Sequence, residues 1–369
     1  PLGTALEGAA TALGPTGLVA TAAIAGSAVI AKAAWDASSA WEAGMAQISK
    51  TTGIEKGTSD FSQLNAELKD LYSTMPTTAS EIQNVAKAAG SLGIEKDSIA
   101  GFTQVALEMG SAFDIPAEEA AVAVGKVQGQ LKSLDGLDSA QFARNFGSAV
   151  DYIGNNFNAT EKDVLDFSTR VSGSLSALGS SAYEIAGWGG MLSSVFPSAE
   201  RAAGSFDALL NQLTTNTESQ AVAAELLGTN TEDFMRAMTT DPTDTLLRIG
   251  SALEALPSEK LMETTKTLGG TYGMDTLNKM VGHTEEWRKA IEGAVEAGEK
   301  GTSIGESFAA GSDNAKAAIQ ELKNSVETIL IDCELSTLFT YSSWSSFMTE
   351  TCAVSCSSCV RSSNLLFID

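Results

Sequence analysis

The residues with the clearest potential for chemistry are the four cysteines near the end of the chain. Cys356 and Cys359 are separated by two serines, which is the spacing of a redox-active or zinc-binding pair. Cys333 and Cys352 provide the two further thiols that a four-cysteine zinc site requires. The segment that contains them lacks the turn glycines of a zinc knuckle, and its composition differs from that of the rest of the chain. We therefore expect these cysteines to bind no metal.

A second candidate is the glycine-rich sequence Leu268–Gly273, which contains Gly269 and Gly270. Glycine-rich loops can cradle a phosphate, but such a loop follows a strand and carries a lysine. This sequence follows a predicted helix and has no lysine within it. We interpret it as a turn between two helices.

Acid–base chemistry has few candidate residues in this sequence. The chain has one histidine, His283, so catalysis by paired histidines and two-histidine metal sites are excluded. His283 precedes a predicted helix and is expected to be an exposed turn residue. The pairs Glu118–Glu119 and Glu285–Glu286 lie in predicted first turns, where the helix dipole favours negative charge. We predict no catalytic, cofactor-binding or metal-binding residues, and hence no enzyme.

The charge of the chain restricts its partners. It has 369 residues, with 46 acidic and 23 basic side chains and a formal net charge of −23. Such an excess disfavours duplex DNA or an anionic lipid surface as the main partner. The five tryptophans are scattered, without the interleaved basic residues of a nucleic-acid platform. We expect no specific nucleic-acid partner.

Helical patterns dominate the sequence and predict an all-α fold: a compact bundle of about a dozen short helices of ten to twenty residues. Strand-like alternation is almost absent. Helix starts are marked by proline or a capping residue followed within one turn by a carboxylate or glutamine. These pairs are Thr78 with Glu81, Pro116 with Glu118, Asn158 with Glu161, Ser181 with Glu184, Pro197 with Glu200, Thr217 with Gln220, Pro242 with Asp244, and Pro257 with Glu259.

Apolar stripes predict which helix faces are buried. The third of three such stripes has the near-heptad spacing of a coiled coil. The stripes are Val164, Phe167, Val171, Leu175 and Leu178; Leu246, Ile249, Leu253 and Leu256; and Ala315, Ile319, Leu322, Val326 and Ile329.

Two changes in composition divide the chain into residues 1–45, 46–330 and 331–369. The first part is rich in alanine and glycine, and Leu18–Ala31 is predicted to be one apolar helix. A helix of this length and composition is open to three interpretations, namely a buried or surface helix, a latent membrane-insertion segment or a transmembrane helix. All 34 glycines and all 7 prolines precede Ile331, and all 4 cysteines follow it. We expect the last part to be foreign to the helical region, and the chain, which starts at Pro1, to be a fragment.

From about residue 13 to residue 330 the chain resembles the core region of phage tail tape measure proteins. The order and spacing of three groups of segments carry the resemblance. They are an apolar entry followed by a tryptophan-containing helix, a run of alanine-rich helices, and a closing glycine–leucine element. The segments are Gly17–Ala31 with Lys32–Asp36 and Trp41–Ile48; Thr77–Ile82 with Phe113–Pro116 and Ala199–Ala203; and Asp241–Leu247 with Leu268–Gly273 and Leu277.

The resemblance implies a structural role in tail assembly, tail-length determination and genome ejection. The implied partners are other copies of the chain, tail-tube and tail-tip proteins and tail assembly chaperones, with the host membrane a further partner through Leu18–Ala31. The implied location is the virion tail tube, with the host cytoplasm during assembly and transient insertion into the host membrane. Because the predicted helices are short and capped, we expect a compact head and not an extended rod.

Two other classes of protein remain open. One is a secreted or surface helical effector that is a substrate of an export machine, since such proteins are often rich in alanine and glycine. The other is a tail-associated cell-wall hydrolase with a site that the sequence does not reveal.

Overall fold

The computed structural model describes residues 35–131, 136–313 and 315–332, and within these ranges the chain forms α-helices, one short 3₁₀ helix and no strand. The all-α prediction is confirmed, with sixteen α-helices in place of about a dozen. The helices are α1 (35–52), α2 (Ser59–Thr74), α3 (Ala79–Ser91), α4 (Ile99–Ala112), α5 (Ala117–Gln130), α6 (Ser139–Asn156), α7 (Glu161–Leu178), α8 (Ala182–Val195), α9 (Ala199–Thr215), α10 (Thr217–Leu226), α11 (Thr231–Thr240), α12 (Pro242–Glu254), α13 (Ser258–Met280), α14 (Thr284–Lys300), α15 (Ser303–Ser312) and α16 (Ala315–Asp332), and the 3₁₀ helix is Lys96–Ser98.

Several helices begin where the sequence predicts. Ser181 and Glu184 form a complete capping box, in which each side chain accepts a hydrogen bond from the backbone amide of the other residue. Pro242 is the first residue of α12. Thr78 caps α3, but the carboxylate of Glu81 accepts from the hydroxyl of Thr77 at 2.7 Å and leaves the box half formed.

Other predicted starts are shifted by one or two residues. Thr160 caps α7 in place of Asn158, Asn216 caps α10 in place of Thr217, and Ser198 caps α9 directly after Pro197. Neighbouring small polar residues are nearly equivalent as caps.

The chain divides into two compact units, one of which is Glu42–Ser325 and the other Pro1–Trp41 together with Val326–Asp369. Of the second unit the structure describes residues 35–41 and 326–332, where Trp41 and Ile331 are buried. The predicted division at residues 45 and 330 stays a prediction.

The larger unit is built by helices that fold back on one another. Helix α9 packs along α13, α14 packs against α6 and α8, and α7 packs against α8. At the centre the Trp188 ring lies 5.0 Å from the ring of Phe206 and perpendicular to that of Trp287. The indole Nε1 of Trp188 donates to the hydroxyl of Thr243 at 3.3 Å. The core thus joins α8, α9, α12 and α14.

The apolar stripes of α7 and α12 are buried as predicted, except that Leu178 and Leu256 at their ends are half-buried. The prediction for α16 is wrong where it can be checked. Leu322 is 67% exposed and Val326 is also exposed, whereas the polar Asn324 is buried. The side chains of Ala315, Ile319 and Ile329 lie outside the described part of the structure.

Two predictions fall on residues that the structure does not describe: the apolar helix Leu18–Ala31 and the cysteine-containing segment from Cys333 onward. Within the described ranges, no helix combines the length and the apolar character that crossing a bilayer requires.

Candidate functional site

The glycine-rich sequence around Gly270 forms a sharp break inside α13. Gly270 has φ 60° and ψ −156°, a region of backbone conformation that is essentially restricted to glycine. The break separates α13 into two helical halves. The prediction of a turn between helices is therefore confirmed.

The two other glycines of this sequence allow backbones to approach closely. A β-carbon added at Gly273 would lie 2.6 Å from the backbone of Leu209 in α9. One added at Gly269 would lie 2.3 Å from the backbone nitrogen of Met274, beyond the break. Real β-carbon contacts are wider than this, so both positions require glycine for packing.

Hydroxyl groups from neighbouring helices satisfy carbonyl groups on both sides of the break. Ser219 of α10 donates to the carbonyl of Thr267 at 2.7 Å, before Gly270. Ser205 of α9 donates to the carbonyl of Tyr272 at 2.8 Å and lies 2.9 Å from the hydroxyl of Thr276. A break in a helix interrupts its backbone hydrogen bonds, and buried carbonyls then require other donors. These serines therefore stabilise the kinked form of α13.

Each half of α13 also presents a large side chain to solvent. Met262 in the first half is 76% exposed, and Tyr272 in the second half is 75% exposed. Isolated exposed apolar residues are common on protein surfaces. Tyrosine and methionine are, however, enriched at protein interfaces, which makes the kinked helix the candidate contact surface of the larger unit.

The acid–base candidates lie at helix starts, as predicted. His283 precedes α14 and is exposed, with its Nδ1 3.4 Å from the carboxylate of Glu286. Glu285 pairs with Lys289 at 3.8 Å within the same helix. Glu118 and Glu119 lie in the first turn of α5. Glu119 pairs with Lys162 of α7. Local helix polarity and surface ion pairs account for all of these positions.

The carboxylate of Glu254, near His283, accepts several hydrogen bonds. Glu254, the last residue of α12, accepts hydrogen bonds from the hydroxyl of Thr284 and from the backbone amides of Gly282 and Thr284. These hydrogen bonds lower the pKa of the Glu254 carboxyl, and the bond from the Thr284 hydroxyl has the largest effect. They join the end of α12 to the start of α14.

Three acidic side chains on inward-facing helix surfaces were not predicted from the sequence. Glu108 is the single charged residue of α4, and it is buried in an ion pair with Arg144 of α6 at 2.9 Å. Asp151 of α6 and Asp207 of α9 have pKa values raised by burial and partly offset by hydrogen bonds from serines. An acidic residue within an otherwise apolar helix face is the signal that would have found them. In the described ranges, no three histidine, cysteine or acidic residues lie together as metal ligands would.

Comparison with known proteins identifies the family. Residues 65–270, more than half of the chain, match the family described as phage-related minor tail protein. The chain belongs to this family. The matched region of this minor tail protein runs from α2 to the break at Gly270.

The chain is also similar to a protein named probable tape measure protein from Halomonas phage phiHAP-1 (isolate -/Gulf of Mexico/-/2001). The two are 25% identical over 261 residues, which cover 67% of this chain and 30% of that protein. The chain thus spans about a third of the relative's length. No solved structure matches the chain. The predicted resemblance to tape measure proteins is confirmed.

Proposed function

We propose that the chain is part of a phage tail tape measure protein and that residues 46–330 form its globular assembly head. The observation that supports this proposal most directly is the backfolding of the helices in the larger unit. Ser205 in α9 and Thr276 in α13, for example, are hydrogen-bonded across 71 residues. Together with membership of the minor tail family, this backfolding supports a compact structural element.

A compact head and an extended rod make different use of chain length. A straight α-helix rises about 1.5 Å per residue, so each residue of a rod adds a constant length. In the larger unit, successive helices reverse direction and pack on one another, so that added residues would not extend it in proportion. We propose that the ruler that sets tail length lies outside residues 46–330.

The head acts in tail assembly through contacts with other copies of the chain, tail-tube and tail-tip proteins and tail assembly chaperones. The exposed Met262 and Tyr272 of α13 support one such contact surface. The net charge of −23 keeps the protein away from DNA. We place it in the virion tail tube and, during assembly, in the host cytoplasm. Transient membrane insertion through Leu18–Ala31 and a foreign origin for residues 331–369 belong to the same proposal.

In this proposal the protein acts without catalysis. Support comes from the acidic side chains of the candidate site described above. They stabilise helix starts, form ion pairs or accept hydrogen bonds from hydroxyl groups. The family assignment favours the tail role over that of an exported effector. A tail-associated hydrolase remains the competing function, and the experiment below distinguishes it.

Deletions in the phage gene test the head against the rod. Removal of α14, Thr284–Lys300, takes away 17 residues that pack against α6 and α8. We expect electron microscopy to show no tails. If this region were rod, tails would form and be shorter by about 26 Å. Tails that form and are proportionally shorter would reject the head and leave the family assignment intact.

A surface variant separates loss of contact from loss of folding. Replacing Met262 and Tyr272 together with serine removes exposed side chains and should leave the unfolding transition of the protein unchanged. We expect fewer complete tails. Replacing Lys266, another exposed residue of α13, with serine is the control and should leave tail number unchanged. Normal tails with loss of host lysis would instead favour the hydrolase.

A further inference from the structure

Helix α15, Ser303–Ser312, is held to the larger unit by unusually little apolar surface. It packs on α4 and α6, and Ile304 is its one fully buried side chain. Phe308 is half-buried, and Ala309 and Ala310 are exposed. Helices of about ten residues are marginal on their own in water. The helical state of α15 therefore depends on its docking.

Polar groups of α6 anchor α15 through hydrogen bonds. The carboxylate of Asp151, which is 2% exposed, accepts hydrogen bonds from the hydroxyls of Ser303 and Ser307, the latter at 3.0 Å. The side-chain amide of Asn155 donates to the hydroxyl of Ser307 at 3.3 Å. All of these contacts are lost together if α15 moves away.

The start of α15 is also completed by α6. The residue before the helix, Thr302, makes no side-chain capping bond. Instead the hydroxyl of Ser148 accepts from the backbone amide of Ile304 at 3.4 Å. A helix that lacks its own cap leaves first-turn amides unsatisfied when it is isolated. Undocking therefore removes the cap as well as the anchor, and α15 unfolds as it leaves.

Two acidic side chains interact electrostatically with Asp151, namely Glu306 of α15 and Glu161 at the start of α7. The repulsion from Glu306 opposes the docked state, because Glu306 is carried by α15 itself. The ion pair between Glu108 and Arg144 lies nearby and is internally neutral, with the guanidinium close to Gly305. Burial raises the pKa of Asp151, hydrogen bonds from serine and asparagine lower it, and Glu306 raises it further.

We propose that α15 is a polar latch that undocks and unfolds as a unit before the rest of the larger unit, and that the buried negative charge of Asp151 promotes its opening. The described contacts support each part, since the apolar burial is small, the cap is borrowed and the anchoring carboxylate has serine hydroxyls as its donors from α15. Local opening of such weakly buried segments is the usual first step of native-state unfolding.

The direction of the pH dependence follows from the raised pKa of Asp151. The docked state binds the proton more tightly than the open state, in which the carboxyl has its ordinary pKa. Docking is therefore strongest at pH values below the ordinary pKa. It weakens as the pH rises from that value through the raised pKa, and above the raised pKa it is constant.

A biological role for the latch rests on the proposed function. α15 lies between α14 and α16, so opening the latch would release Ser303–Ser312 from α4 and α6, while Asn324 still holds α16 at the connection between α2 and α3. In an assembly head this is a means of uncovering the surfaces of α4 and α6 under α15 at a defined step. The latch itself is a property of the purified chain and is tested without phage assembly.

Hydrogen exchange measured by mass spectrometry on the full chain tests the latch. After correction for intrinsic exchange rates, residues 303–312 should exchange faster than residues 284–300. Asp151→Asn removes the charge and keeps an acceptor, so it should slow exchange in α15 at neutral pH. It should also abolish the dependence on pH. Ser307→Ala removes a donor and should have the opposite effect.

Asp207→Asn is the matched control. Asp207 is likewise an aspartate with a pKa raised by burial, but its serine partner is Ser174 of α7 and not a residue of α15. This variant should leave exchange in α15 unchanged. Circular dichroism confirms that each variant is folded. The proposal is overturned if Asp151→Asn accelerates exchange in α15, or if α15 is as protected as α14 in the original chain. The two proposals can fail separately. If the exchange results are as expected but the α14 deletion gives proportionally shorter tails, the assembly head is rejected and the latch is retained.

Discussion

The side-chain amide of Asn324 donates a hydrogen bond to the backbone carbonyl of Met75 at 2.9 Å, across 249 residues of sequence. The same amide donates to the carbonyl of Thr77 at 2.7 Å. Met75 and Thr77 lie between α2 and α3, so one buried asparagine of α16 satisfies two carbonyls of that connection. Leu322, two residues earlier, faces solvent. A polar residue therefore anchors α16 where the sequence pattern favours a leucine.

We predict that Asn324→Ala destabilises the protein far more than Leu322→Ala. The first change removes the side-chain donor of the Thr77 carbonyl and one of the two donors of the buried Met75 carbonyl, and should cost about 1–3 kcal/mol. The second removes an exposed side chain and should change the free energy of unfolding by less than about 0.5 kcal/mol. Urea unfolding of the two variants measures both values. The reverse order would mean that the leucine face of α16 is the packed one.

Gly270→Ala should destabilise the kink in α13. Alanine is strained at a φ of 60° and ψ of −156°, and its β-carbon would lie 2.4 Å from the Nε2 atom of Gln212. We expect a loss of about 1–3 kcal/mol in thermal or urea unfolding. Gly204→Ala is the control, since Gly204 lies in α9 with open space around it and should gain up to about 1 kcal/mol. Equal effects at the two positions would argue against the kink.

A second replacement distinguishes clash from strain at the kink. Gln212→Ala in the Gly270→Ala background removes the colliding side chain and leaves the backbone conformation unfavourable. Stability should therefore be restored only in part. Full recovery would show that the side chain of Gln212 was the whole cause.

The hydrogen bonds by which Glu254 connects α12 to α14 should weaken in acid. The pKa of Glu254 is lowered in the folded state, so its contribution is fully present above the ordinary carboxyl pKa and is lost as the pH falls through the lowered value. Glu254→Gln should lower the melting temperature at pH about 7, and the difference should shrink as the pH falls below the ordinary carboxyl pKa. Melting curves of both proteins across this range give the comparison, and a pH-independent difference would contradict it. The buried Asp151 and the half-buried Asp207 act in the opposite direction, because their pKa values are raised.

The sequence alone was sufficient for features that depend on a few neighbouring residues. The capping box of Ser181 and Glu184 requires contacts within one turn, and the turn at Gly270 follows from a cluster of glycines after a helix. The buried stripe of α7 follows from its 3.6-residue spacing. The all-α fold and the family resemblance rest on such local patterns, and the negative charge follows from composition. All three could therefore be predicted from the sequence.

Only the tertiary structure decided which polar groups are buried and what satisfies them. Asn324 looks like an ordinary surface residue in the sequence, because its partner lies 249 residues away, and the serine that binds Asp151 lies about 150 residues from it. An apolar stripe shows that a helix has a face to bury, but not that a neighbouring helix will offer an apolar surface in return. In α16 the surface offered was a pair of backbone carbonyls, and a buried carbonyl requires a hydrogen-bond donor. The asparagine is therefore buried and the leucine exposed.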